Sequence, residues 1–285
     1  MLPLVRIRHL LPFAFLLLSA SLAVQAQEVR FNRVKWKSMK IAPGINWFST
    51  HSAIFDTLVQ NVNILYIDTK KRKITVLHNP DSNKTVPSHM KYSDAIAGVN
   101  AGFFNIKEGG SVTYLRVDGL IADTDTAKKW KRNLNMNGAF ITDKSGSIII
   151  DPAKPNSWYD TMTQYDDILV TGCLLVDEGS IQKMPETSLV ITRHPRTCAG
   201  MAGKHKLLLV TVDGRTDQSA GLSLPELAAF MKHLGCRDAV NLDGGGSTTM
   251  WIKGQPDNGI VNMPCDNRKF DHAGARAVAN VIAVK

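Results

Sequence analysis

Residues 27–285 predict a single domain of the α/β or α+β class, with a mixed, strand-rich sheet core and a βαβ crossover near the carboxyl terminus. Three observations carry that expectation. Strand-length apolar or alternating segments, separated by polar turns, fill the middle of the chain. A strand, helix and strand pattern occupies Lys206 to Met250. No segment has the length and polarity of a linker, and no internal repeat or low-complexity tract breaks the pattern.

Residues 1–26 read as a signal peptide rather than as part of the fold. Arg6 and Arg8 precede an apolar stretch from Leu10 to Val24, and Val24 and Ala26 form a small-x-small cleavage site. The expected location is therefore the periplasm or the outside of the cell, with no integral membrane segment once the peptide is removed. No later segment has the ~18 uninterrupted apolar residues of a spanning helix. The formal net charge of the chain is +9. Loss of Arg6 and Arg8 with the signal peptide lowers it by two, to +7, and after export that charge points to anionic glycans, phosphodiesters or membrane surfaces and not to nucleic acid. Cys173, Cys198, Cys236 and Cys265 remain in the exported chain. An oxidising compartment permits disulfides, but their spacing selects no pairing and matches no metal site.

Gln27 to Gly44 shows no clear period. Leu58 to Asp68 and Ile74 to His78 alternate around the polar turn Thr69 to Lys73, which reads as a hairpin. Ala95 to Asn105 reads A-I-A-G-V-N-A-G-F-F-N. A strand ending in Asn100, followed by tiny residues and aromatics, suits a ligand wall: Ala101 and Gly102 admit a ligand, and Phe103 or Phe104 can pack on a sugar face. Gly138 to Thr142 and Ser147 to Ile150 read as a strand pair, and Ile168 to Val176 as one further strand. Thr192 to Gly200 places Arg193, His194, Arg196 and Thr197 around a proline bend, a pattern suited to bidentate binding of phosphate or carboxylate. His194 alone reads as a surface or hydrogen-bonded histidine.

Leu207 to Val212 is a continuous apolar run that ends at Asp213-Gly214-Arg215, the pattern of a buried strand. Ser223 and Glu226 have capping-box spacing, Leu227, Phe230, Met231 and Leu234 share a helical face, and Gly235 is placed to stop the helix. A strand from Asp238 then ends at Asp243. Such a crossover makes the two strands parallel and brings Asp213 and Asp243 to one edge, where open α/β sheets hold ligands. The run that follows, Gly244, Gly245, Gly246, Ser247, Thr248 and Thr249, can turn sharply and offer amides to an anion and hydroxyls to phosphate or sugar oxygens. No Lys follows the glycines, so this is not a Walker loop. Arg276 to Val284 closes the chain as an alternating strand.

Taken together, V-N-A-G-F-F, P-R-T, V-D-G-R, the S-L-P-E-L-A helix, N-L-D-G-G-G-S-T-T and the final R-x-V-x-N strand resemble the phosphodiester glycosidase family over roughly residues 96–284. Many of its bacterial members are labelled only as related to exopolysaccharide biosynthesis. The chain departs from the family pattern at Ala101 and at Cys198-Ala199. The resemblance implies hydrolysis of the bond between a sugar's anomeric carbon and a phosphodiester oxygen, with an N-acetylhexosamine-like sugar. Arg193, Arg196, Arg215 and Arg276 are then candidate phosphate contacts, Gly244 to Ser247 supply amides, and Asp213 and Asp243 are the candidate nucleophile or base. Asn100, Gly102, Phe103, Thr197 and Thr248 complete the expected substrate site.

Two other readings use the same residues. In one, Asp213 and Asp243 hold a divalent cation for a metal-assisted phosphodiesterase; in the other, the chain binds envelope glycans without catalysis. The sequence requires no cofactor and names no metal ligand.

Overall fold

The computed structural model describes residues 34–55, 57–123 and 135–285. The expected signal peptide lies outside the described residues, as does the basic run Lys128 to Arg132, whose sequence reads as a solvated loop.

The largest sheet is antiparallel throughout and contains β1 (Lys37–Ala42), β2 (Ile45–Phe55), β3 (Leu58–Asp68), β14 (Lys206–Val212), β13 (Arg196–Met201), β15 (Asp238–Asn241), β11 (Leu174–Asp177) and β12 (Ser180–Ile181), in that spatial order. A second sheet orders β7 (Leu120–Asp123), β6 (Leu115–Val117), β10 (Tyr165–Thr171), β8 (Gly138–Asp143) and β9 (Ile148–Pro152). A third orders β16 (Met250–Ile252), β5 (Ala97–Asn100), β17 (Asn280–Val284) and β4 (Ile74–His78). The helices are short: α1 (Val86–Met90), α2 (Asn156–Asp160), α3 (Ser188–Ile191) and α4 (Leu224–His233).

Strand β14 shows why an uninterrupted apolar run sits at the centre. Leu207 and Leu209 enter a core shared by all three sheets, beside Leu65, Val99, Phe140 and Ile282. Leu208, Val210 and Val212 face the other way, into a second core under α4 with Leu227, Phe230 and Met231. A strand covered on both faces gains apolar burial at every residue, about 25 cal/mol per Å² removed from water. Helix α4 begins as its sequence requires. Ser223 Oγ accepts from Glu226 N at 3.3 Å, and Ser223 N donates to Glu226 Oε2 at 2.9 Å. It ends at Gly235, in the left-handed region at φ +85°, where Cys236 N reaches back to Met231 O.

The strand-rich core matches expectation, and so does the β8–β9 pair, but every pair of strands in the three sheets is antiparallel, so the core is not a mixed sheet. Three further expectations need correction. The hairpin expected of Leu58–Asp68 with Ile74–His78 does not form: β3 pairs with β2 and β14, while β4 pairs with β17 in another sheet. The strand expected over Ile168–Val176 is divided near Gly172, giving β10 and β11 in different sheets. The strands of the expected crossover run the same way but are not neighbours, because β13 lies between β14 and β15 and is antiparallel to both. Each error has one cause. Apolar alternation reports which face of a strand is buried, not which strand covers it.

All four cysteines are buried free thiols. Desolvation pushes Cys173 up to about 11 and Cys236 up to about 12, so both behave as small apolar residues at neutral pH. No helix among the described residues is long and apolar enough to cross a membrane.

Candidate active site

Beyond β15 the backbone leaves the sheet at Leu242 and Asp243. Leu242 N donates to Thr197 O at 2.8 Å and Asp243 N to Ala101 O at 2.8 Å, so β13 and the segment after β5 hold this exit from both sides. Asn100 ties them together. Its Nδ2 donates to Asp243 O at 2.6 Å, while its Oδ1 accepts from Thr197 Oγ1 at 2.7 Å and Thr249 N at 3.0 Å. Asn100 and Thr197 are wholly buried and spend these groups on each other and on backbone. They position the site from beneath rather than line it.

Above them lies a cleft of about 200 Å³, walled by Phe103, His194, Arg215, Asp243, the three glycines and Arg276, with Leu189, Arg196 and Asn241 at its base and edge. Asp243 is the one carboxylate among its lining residues. Burial pushes its carboxyl up to about 6, against the opposing pull of the Ser247 hydroxyl, the Gly244 amide, Arg276 and Arg215. Gly244 N donates to Asp243 Oδ1 at 3.0 Å.

The glycines are needed for close approach more than for their amides. A Cβ on Gly245 would lie 2.9 Å from Arg215 Nη1, and one on Gly246 would lie 2.5 Å from Arg276 Nη2. The turn therefore lets the Arg215 and Arg276 guanidinium groups, the latter with its partner Asp266, approach the backbone closely beside Asp243. The amides of Gly244, Gly245, Ser247 and Thr248 are already donated within the protein. This corrects the expectation of an amide cradle from Gly244 to Ser247. Ser247 and Thr248 are fully buried; the Ser247 hydroxyl is close enough to the Asp243 carboxylate to favour its charge but not in well-formed hydrogen-bond geometry, and the Thr248 hydroxyl meets no acceptor.

Gly245 also has φ +61°. The variant Gly245→Ala is expected to cost about 1 kcal/mol of stability from backbone strain and to displace Arg215. Phosphate affinity, measured by calorimetry, should then fall roughly tenfold, the scale of one charge-assisted hydrogen bond.

The four arginines divide by environment. Arg215 is exposed at φ +62°, and Arg276 is partly buried, with Nη2 2.5 Å from Asp266 Oδ1. Arg196 is only 2% exposed. Its guanidinium donates to Leu222 O at 2.8 Å, Leu189 O at 2.7 Å and Thr192 O at 2.9 Å. It pins α3 against β13 as much as it charges the cleft. Desolvation lowers its pKa to about 10, still well above neutral pH. Arg193 does not line the cleft, because it is paired with Glu226, the capping residue of α4.

Asp213 does not share the rim with Asp243. Its carboxylate is buried behind the Gly turn, accepting from Asn61 Nδ2 and Asn262 Nδ2, each at 2.7 Å, and from Met263 N at 2.9 Å. Desolvation raises its pKa and the three donors oppose that shift. Gly102 is likewise a packing residue: its amide donates to Asn280 Oδ1 at 2.6 Å, and a Cβ there would meet Leu169 Cδ1 at 2.5 Å.

Sequence reasoning passed over Asn241, Leu189 and the cleft position of His194. Asn241 was within reach, since it stands two residues before Asp243 and strand alternation puts both on one face. Leu189 comes from α3, which carries no site-like pattern. A larger hollow of about 950 Å³, bordered by Thr85, Lys91, Trp251, Asp257 and His272, contains none of these groups. Among the described residues, no three His, Cys, Asp or Glu side chains gather as metal ligands.

A profile of the phosphodiester glycosidase family matches residues 93–285. The N-acetylglucosamine-1-phosphodiester alpha-N-acetylglucosaminidase of Mus musculus is 27% identical over 177 residues, covering 59% of this chain and 33% of that protein. The human protein of the same name is 25% identical over 192 residues, covering 64% and 36%. The chain thus spans about a third of the length of these relatives. Among solved structures, the catalytic domain of the zebrafish protein of that name, auto-inhibited by its pro-peptide, superposes with a TM-score of 0.64 at 19% identity, covering 88% of this chain and 82% of that one.

Proposed function

Because the chain belongs to the phosphodiester glycosidase family, we propose that it is an exported hydrolase that cleaves the C–O bond between the anomeric carbon of an N-acetylhexosamine-like sugar and a phosphodiester oxygen in envelope or extracellular glycans. The observation that carries this reading is a single carboxylate, Asp243, set among Arg215, Arg276 and His194 in one cleft. The names of the animal relatives supply the sugar, and the basic and apolar stretch of residues 6–24 supplies export.

The chemistry needs few groups. A phosphate monoester leaves more readily than an alcohol, so protonating the leaving oxygen contributes less than holding its charge. Arg215 and Arg276 hold the phosphoryl oxygens, and Arg196 adds positive potential from below. Asp243, ionised above about pH 6, faces the anomeric carbon as nucleophile or as the base that activates water. Phe103 gives the sugar an apolar surface. Water's oxygen ends on the anomeric carbon, the displaced oxygen stays with phosphorus, and the net products are a free sugar and a phosphate monoester.

The test is hydrolysis of a UDP-linked N-acetylhexosamine in ¹⁸O-labelled water, with and without a chelator. Label in the sugar alone, unaffected by chelator, is expected. Label in the phosphate and loss of turnover with chelator would replace this reading by a metal-assisted attack on phosphorus.

A further inference from the structure

We infer that His194 is a phosphoryl-binding residue of this cleft that works as a neutral imidazole, donating from Nε2 while Nδ1 accepts from Arg215, and that the same contact positions the Arg215 guanidinium. The inference rests on the glycosidase reading for the identity of the anion but on the structure for the state of the ring.

The placement of His194 is built from both sides. Its N–H donates to Leu222 O at 3.1 Å and its carbonyl accepts from Leu222 N at 3.1 Å, a two-way bridge that fixes the backbone immediately before buried Pro195. Gly221, at φ +74°, lies so close beneath His194 O that a side chain there would collide with it. The half-buried ring therefore enters the cleft from a rigid support.

The chemistry of its neighbour then decides the tautomer. Arg215 Nη2 lies 3.4 Å from His194 Nδ1. A guanidinium has only donors and stays charged across the range in which histidine titrates, so Nδ1 must keep its lone pair. An imidazolium would turn two donors and two positive charges against each other. Arg196 adds a second cation from β13, and Arg276 lines the same cleft, with Asp243 the one acid lining it. Burial, then Arg196 and Arg215, hold the ring below the usual histidine pKa. The remaining proton sits on Nε2, a neutral donor among permanent cations. Such a group adds a hydrogen bond to a phosphoryl oxygen without adding a charge that titrates near pH 7. The phosphate clamp then stays constant over the range in which Asp243 ionises.

Two measurements on the full exported chain test this. The first is ¹⁵N NMR of the His194 ring at pH 7, with inorganic phosphate titrated as the probe. A protonated Nε2 and a bare Nδ1, with and without phosphate, are expected, with the Nε2 signal shifting on saturation. An imidazolium, the opposite tautomer, or a ring that does not respond to phosphate would overturn the proposal. The second compares variants on a sugar-1-phosphodiester. His194→Gln keeps a neutral donor near Nε2 and should retain kcat/KM within about fivefold, whereas His194→Ala should lose roughly 10- to 100-fold, the scale of one hydrogen bond to a charged group. Equal losses in both, with a lost limb in the pH profile, would make His194 a proton donor and sink the neutral role. If the unaltered protein hydrolyses no such substrate, the glycosidase reading fails, and the ring measurement still decides the state of His194.

Discussion

Asp243→Asn is expected to abolish turnover by roughly 10³-fold or more and, at neutral pH, to make the protein more stable. Both effects follow from one environment. Burial raises the Asp243 carboxyl to about 6 in the fold, against about 3.9 in an unfolded chain. Near pH 3 both states carry the proton, and the folded state loses nothing by holding it. As pH rises from about 4 to about 6, the unfolded chain ionises first, so the stability present at low pH is progressively lost. At pH 7 the cost of ionising Asp243 in place is about 2 kcal/mol, after allowance for its partial exposure and screening. Asparagine removes that cost while its oxygen can still accept from Gly244 N, as Asp243 does at 3.0 Å. The melting temperature at pH 7.5 should rise by about 5 °C, and the gain should shrink at pH 5. Activity of the unaltered protein should climb through about pH 6 as the carboxylate forms. A folded Asp243→Asn protein with most of its activity would remove Asp243 from the chemistry.

Asp213→Ala should have the opposite signature, a large loss of stability with intact chemistry in whatever remains folded. Asp213 is 1% exposed and receives two asparagine amides and the Met263 N–H, which join β3 and the 261–263 segment to the end of β14. Truncation leaves those donors buried without an acceptor, a penalty of about 3–4 kcal/mol and a melting temperature lower by about 10 °C. Asp213→Asn should also destabilise, because its new NH₂ would face a donor. Activity per folded molecule, obtained by normalising turnover to the native fraction, should stay within a few-fold of the unaltered protein. A thousandfold loss in fully folded Asp213→Asn would restore a direct chemical role for this carboxylate.

These two aspartates mark how far the sequence could be read. Each ends an apolar strand with Asp-Gly, and the strands do run the same way, so local pattern treats the two alike. The inserted strand β13 and the Asn61 and Asn262 side chains separate them, and those partners lie 152 and 49 residues away in the chain. The arginines divide for the same reason. Arg193 and Arg196 flank one bend, yet Arg193 meets Glu226 and Arg196 meets three carbonyls, while Arg215 and Arg276 come from distant segments to the same glycine turn.

By itself the sequence determined what depends on near neighbours: the strand-rich class, the buried β14 run, the capped helix α4, the glycine turn after Asp243 and, through its ordered motifs, membership of a family. Tertiary structure alone decided which strands pair, which acid faces the cleft, which arginines remain open to a ligand and which histidine stands beside them. The division is physical. Periodicity and turn chemistry act over a few residues and leave their mark on local order. Pairing, burial and the electrostatic partners of a charged group are set by contacts between remote segments, which come to exist only when the sheets close on their common core.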